Sequence, residues 1–169
     1  MRRRNQNRRG NATLEFALVG VPMIFVLIST FSMGFGMWIY HSVGYAVREG
    51  TRYAVVHGSD CATPNSCQVT VSQVATRVKS AVPGLDPGQF TLTLTAADGS
   101  SVSGTVTTLL ANNTTWPPTT CNTPGLNLKI AGSYPFMPIF TLFWPTAGAP
   151  HVQTPSFTLG AASTDRIQF

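Results

Sequence analysis

Charged side chains are the scarcest class in this sequence: they make up 10% of its 169 residues, against roughly 25% in an ordinary soluble domain. Only four Asp and two Glu occur, so paired carboxylates for acid–base catalysis have few candidates. His41, His57 and His151 stand without a Ser or Cys nucleophile motif around them. Glycine-rich phosphate loops are missing too. His57 near Cys61 and Cys67 lacks the four-ligand spacing of a zinc site. These gaps predict no catalytic residue, no metal, no cofactor and no small-molecule substrate.

A net charge of +5 would ordinarily raise nucleic acid as a partner, but its distribution argues otherwise. Arg2, Arg3, Arg4, Arg8 and Arg9 fall in the first ten positions, which hold no acid. The six remaining basic side chains equal the six acidic ones, so the rest of the chain is neutral. No basic binding face, and no nucleic acid partner, is expected of it. The length fits one domain plus an appendage.

What the chain does have is one long apolar run. Leu14 to Ile39 reads LEFALVGVPMIFVLISTFSMGFGMWI, with Glu15 its only charged residue. About 20 such residues, at a rise of ~1.5 Å each, cross a hydrocarbon core of roughly 30 Å. Arginines at one end, and none until Arg48 at the other, set the N-terminus in the cytoplasm and the remainder outside. Trp38 and Tyr40 lie where the helix leaves the bilayer, a place suited to aromatic rings with a polar edge. A cleaved signal peptide is the competing reading. The run exceeds the usual apolar stretch of about 7–15 residues, no A-x-A site follows, and a charge sits at its start. A twin-arginine signal fits poorly, because Arg8-Arg9 is followed by Gly-Asn-Ala.

Glu15 then needs a reason, since a carboxylate inside a membrane segment is costly and usually marks function. The stretch Arg8-Arg9-Gly10-Asn11-Ala12-Thr13-Leu14-Glu15-Phe16 resembles a type IV prepilin processing site. The resemblance implies cleavage between Gly10 and Asn11 by a prepilin peptidase on the cytoplasmic face. Glu15 would become the fifth residue of the mature chain, and the five leader arginines would leave. In a bundle of subunits, the new ammonium of one chain can meet Glu15 of its neighbour, which adds register more reliably than stability.

Farther on, AVREGTRYAVVHG at 46–58 resembles the signature after the membrane helix in TadE-like proteins, minor pseudopilins of tight-adherence (Flp) pilus systems. The matching residues are Arg48, Glu49, Gly50, Arg52, Tyr53, Ala54 and Gly58. Gly132-Ser133-Tyr134-Pro135-Phe136 resembles a late loop of that family more loosely. Val43, Val47, Gly50 and Ala54 recur at helical steps, so the membrane helix continues outward as an amphipathic stem, with Gly58 its stop. Glu49 and Arg52, three apart, can pair. Arg48, Glu49 and Arg52 read either as a solvated face or as a partner surface. Pro22 can kink the helix, and Gly34 and Gly36 permit close helix approach.

Beyond Gly58 the texture turns to Ser, Thr, Pro and Gly. Gln68 to Val82 predicts a helix with Val71, Val74, Ala75, Val78 and Val82 on one side, ended by Pro83-Gly84. Phe90 to Ala96 alternates as a half-buried strand, Asp98-Gly99 supplies a turn, and Val102 to Leu110 is a partner strand. Leu126, Leu128 and Ile130 alternate again, as do Phe157, Leu159 and Ala161. The apolar run Tyr134–Trp144, broken by Pro135 and Pro138, is too short to cross a membrane. It reads as a loop over the domain's own core or as an exposed contact patch. Cys61 and Cys67 bracket a short loop and are the expected disulfide in an oxidising compartment, with Cys121 free or paired elsewhere.

The fold expected is α+β and pilin-like: a long N-terminal transmembrane helix, then a small antiparallel-sheet domain with one short helix. The divisions are a cleaved leader at 1–10, helix and stem at 11–58, and an extracytoplasmic domain at 59–169. The function implied is that of a non-enzymatic inner-membrane subunit in pilus assembly, partnered by prepilin peptidase and other pilin and pseudopilin subunits. The alternative is an extracytoplasmic binding domain that the helix merely tethers.

Overall fold

A computed structural model describes residues 8–60, 67–139 and 157–168. Helix α1 runs from Arg8 to Val55, 48 residues, with Pro22 inside it. There follow α2 (Val71–Ala81), β1 (Thr91–Thr95), β2 (Ser101–Thr105), α3 (Val106–Leu110), a single 3₁₀ turn (Thr119–Cys121), β3 (Asn127–Phe136) and β4 (Phe157–Arg166). The four strands form an antiparallel sheet in the order β2-β1-β3-β4. The fold is α+β, a long apolar helix followed by a small antiparallel sheet with short helices.

Two compact units divide the chain, and their boundary falls inside α1 between Gly36 and Met37. In the first, the side chains of α1 from Leu14 to Phe35 are mostly exposed despite being apolar, Phe16 to 79%. Only 6% of the most apolar window of this helix is buried, which separates it from the core helix of a soluble protein. Among the described residues it is the one helix long and apolar enough to cross a membrane. Thr30 hands its hydroxyl proton back to the Val26 carbonyl at 2.9 Å, so this polar side chain is satisfied within the apolar segment.

In the second unit, Met37–Phe136 with Ser156–Phe169, the same helix changes character. Ile39, Val43, Ala46, Val47, Ala54 and Val55 are buried, and they join a single core with α2 and the sheet. The stem is therefore the central helix of the domain. Placing the domain's start after residue 58 leaves out the face on which the rest is built.

Helix α2 forms as its spacing predicts, with Val71, Val74, Ala75 and Val78 buried. Thr70 and Gln73 close a capping box at its start: the Thr70 hydroxyl accepts from the Gln73 N–H, and the Gln73 side chain accepts from the Thr70 N–H. On β1, Leu92 and Leu94 face inward, opposite Gly132 and Ile130 of β3. The segment Val102–Leu110 is not one strand. Thr105 ends β2 and caps α3 by accepting from the Thr108 N–H, and Val106 and Leu109, three apart, turn inward together. Among the described residues the domain thus carries two short helices where the sequence predicts one. The C-terminal segment seals the end of α1, where the Gln168 N–H donates to the Val55 carbonyl at 3.1 Å.

Candidate functional site

Gly10 and Asn11 lie in the first helical turns of α1. Glu15, four residues on from Asn11, projects from an exposed apolar surface between Leu14 at 67% and Phe16 at 79% exposure. It forms no ion pair or hydrogen bond with any described residue. Among the described residues nothing offsets the cost of desolvating a carboxylate so placed. Farther along the first unit, Leu27, Thr30, Phe31, Gly34 and Phe35 line an apolar hollow. A Cβ on Gly34 would meet nothing within 4 Å, so the backbone there is open to close approach by another surface.

The stem signature resolves into packing. Gly50 is buried where α2 crosses α1, and a Cβ there would stand 2.6 Å from a Val78 methyl. Glycine is what lets the two helices meet. Ala54 and Gly58 are buried too, and Tyr53 is half-buried. The Tyr53 ring packs at a tilt of 43° against His57 with centroids 4.5 Å apart, and the Arg77 guanidinium of α2 lies 5.0 Å from the Tyr53 ring centroid. His57 Nδ1 sits 2.7 Å from the Tyr53 carbonyl, an acceptor only, so that nitrogen carries the proton. Tyr53, His57 and Arg77 therefore tie the end of α1 to α2 by a cation–π contact. Glu49 is half-buried, while Arg48 and Arg52 are exposed. Glu49 and Arg52, whose spacing permits an ion pair, do not form one.

A second close approach was not singled out as such in the sequence. Gly132 of β3 lies against α1, and a Cβ there would fall 2.7 Å from Val47 Cγ2 and 2.9 Å from Phe90 Cε2. Its place in an alternating strand beside Ile130 is the signal that marks a core-facing position. Trp116, in a Pro/Thr-rich stretch without periodicity, is the largest fully buried side chain among the described residues. Nothing in its local sequence announced that.

Cys67 is disulfide-bonded, and Cys121 is a free, buried cysteine. Cys61 lies outside the described residues, as do Arg2, Arg3, Arg4, His151 and the part of the apolar run from Phe140 to Trp144. Of that run, Tyr134 and Phe136 are half-buried in β3, and Met137 and Ile139 are exposed. Among the described residues no group of three or more His, Cys, Asp or Glu could hold a metal ion.

No curated protein and no solved structure matches the chain. The family model described as TadE-like protein matches residues 10–52, which take in the first part of the signature at 46–58, so the resemblance to that family is borne out over this stretch.

Proposed function

We propose that this chain is a minor pseudopilin: a non-enzymatic, single-pass inner-membrane subunit that supports assembly of a tight-adherence (Flp) pilus. Prepilin peptidase removes its leader after Gly10, and other pilin and pseudopilin subunits are its partners. Its N-terminus is cytoplasmic and its domain lies outside. The observation that carries this reading is Glu15, a carboxylate on an exposed apolar helix with no partner among the described residues. The family match beginning at Gly10 supports it, because that residue sets the register of cleavage.

Two measurements test it together. Mass spectrometry of the protein purified from membranes with active prepilin peptidase should find a mature N-terminus at Asn11, and Gly10→Val should block the cut. Glu15→Ala removes an intramembrane charge, so insertion, protein level and processing should stay near normal while cross-linking to other pilin subunits and pilus formation fall. An intact Met1 in such cells, or full pilus assembly by Glu15→Ala, would favour the tethered binding domain instead.

A further inference from the structure

Just past the apolar run, one face of α1 stays open. His41, Gly44, Tyr45 and Arg48 recur at three- and four-residue steps and so share that face, with Tyr40 beside them. Among the described residues they line a cleft of about 390 Å³. Its opposite wall is Ala161 and Ala162 of β4. Small residues make the room: a Cβ on Gly44 would already touch the Ala161 Cβ at 3.9 Å, so a longer side chain at 44 would occupy the cleft.

The donors facing this space are two phenol hydroxyls, an imidazole and a guanidinium, and no carboxylate is among the described lining residues. Arg48 is exposed and forms no ion pair with any described residue. Such a set is complementary to an anion that brings several acceptor oxygens, and arginine takes phosphate oxygens bidentately. Height selects among anions. The apolar run ends at Ile39, and at ~1.5 Å per residue Tyr40 to Tyr45 lie within roughly 9 Å of that end. The headgroup layer on each face of a bilayer is about 5–8 Å deep, so these residues stand at or just above it. Arg48 starts higher, but helix side chains lean toward the N-terminus, which here is toward the bilayer.

We propose that this cleft binds the phosphodiester headgroup of an anionic phospholipid in the leaflet on the domain's side. Arg48 supplies the charge contact, and His41 and Tyr45 supply hydrogen bonds. The proposal rests on α1 being a membrane helix and deepens that reading, because it gives the domain a fixed seat on the membrane surface.

Native mass spectrometry of the full chain in detergent, titrated with phosphatidylglycerol and separately with phosphatidylcholine, tests it. The parent protein should retain phosphatidylglycerol preferentially. Arg48→Gln should weaken that binding about tenfold, the scale of one hydrogen-bonded charge. Gly44→Met should weaken it similarly without removing any charge, and unchanged circular dichroism would show that both variants remain folded. Should Gly44→Met misfold, the exposed Arg48 substitution still decides. Equal retention of the two lipids, or unchanged binding in Arg48→Gln, would overturn the lipid site and leave the membrane helix intact. Release of the chain from membranes by alkaline carbonate would overturn the membrane reading itself. Displacement of the lipid by millimolar inorganic phosphate would make this a soluble-anion site and overturn the lipid assignment. Loss of pilin cross-links with lipid binding unchanged would make it a protein contact, with the same consequence.

Discussion

Asp98 shows how a single carboxylate can be held by a turn. It sits between β1 and β2 beside Gly99, whose φ of +84° lies in the left-handed region that favours glycine. The Ser100 hydroxyl donates to it at 2.6 Å and the Ser100 N–H at 2.8 Å. Its pKa is lowered from the usual 3.8, first by the Ser100 hydroxyl, then by a hydrogen bond from the Cys121 thiol and by the Ser100 backbone, against a smaller opposing effect of desolvation. A folded-state pKa below the unfolded one stabilises the fold above the unfolded value, and this contribution is lost as pH falls through the lowered one. Asp98→Asn keeps an acceptor and removes the charge. Thermal melts should therefore show the parent ahead of Asp98→Asn at neutral pH, with the gap closing as pH drops below 3.8. A gap independent of pH would mean that the charge is not used. Cys67 offers a second check at this scale. Peptide mapping without reduction should join it to Cys61, while the buried Cys121 should alkylate only after denaturation.

Helix α1 does two jobs along its length, and the change comes at Met37. Before Met37 its apolar side chains face outward, and after it Val43, Val47 and Ala54 face the core. The domain-side half depends on two close approaches, Val78 of α2 against Gly50 and Val47 against Gly132 of β3. Gly50→Ala sets two effects against each other. Alanine favours a helix interior by about 1 kcal/mol over glycine, but overpacking a filled contact costs roughly 1–3 kcal/mol. At 2.6 Å from Val78 Cγ2 the clash should win, so Gly50→Ala should lower the melting temperature. Adding Val78→Ala makes room for the new methyl. The double variant should then lie above the sum of the two single losses, and strict additivity would argue against this contact.

For the whole molecule, the packing of α1 decides where the domain begins. A soluble fragment starting at Ser59 would lack Ile39, Val43, Ala46, Val47, Ala54 and Val55, all part of one core. Each buried Val or Ile contributes about 1.5–3 kcal/mol, and the total stability of a domain is only about 5–15 kcal/mol. The Ser59 fragment should therefore be unfolded by circular dichroism, with no cooperative melt. A fragment starting at Met37 keeps those side chains and should melt cooperatively. If the Ser59 fragment folded, the core contribution of α1 would be dispensable, and the helix would be a tether after all.

Patterns that repeat within one element were legible before any tertiary contact was known. The apolar run, the three- and four-residue steps of Val71, Val74 and Val78, and the alternation around Leu92, Ile130 and Leu159 each named an element, because burial on one face imposes its period on the residues. The register of Gly10 and Glu15 could be read in the same way, as a spacing along one chain. Tertiary structure decided what those faces meet. That β1 lies between β2 and β3, that Val106 turns into a helix after Thr105, and that Trp116 fills the interior are outcomes of contacts between residues far apart in sequence. So is the role of the stem. Its amphipathic spacing said that one face would be buried, but only the fold showed Val78 and Gly132 arriving from two separate elements to cover it. The physical reason is that a period records how much of a helix is hidden from water, while the identity of the covering surface is settled by packing between distant segments.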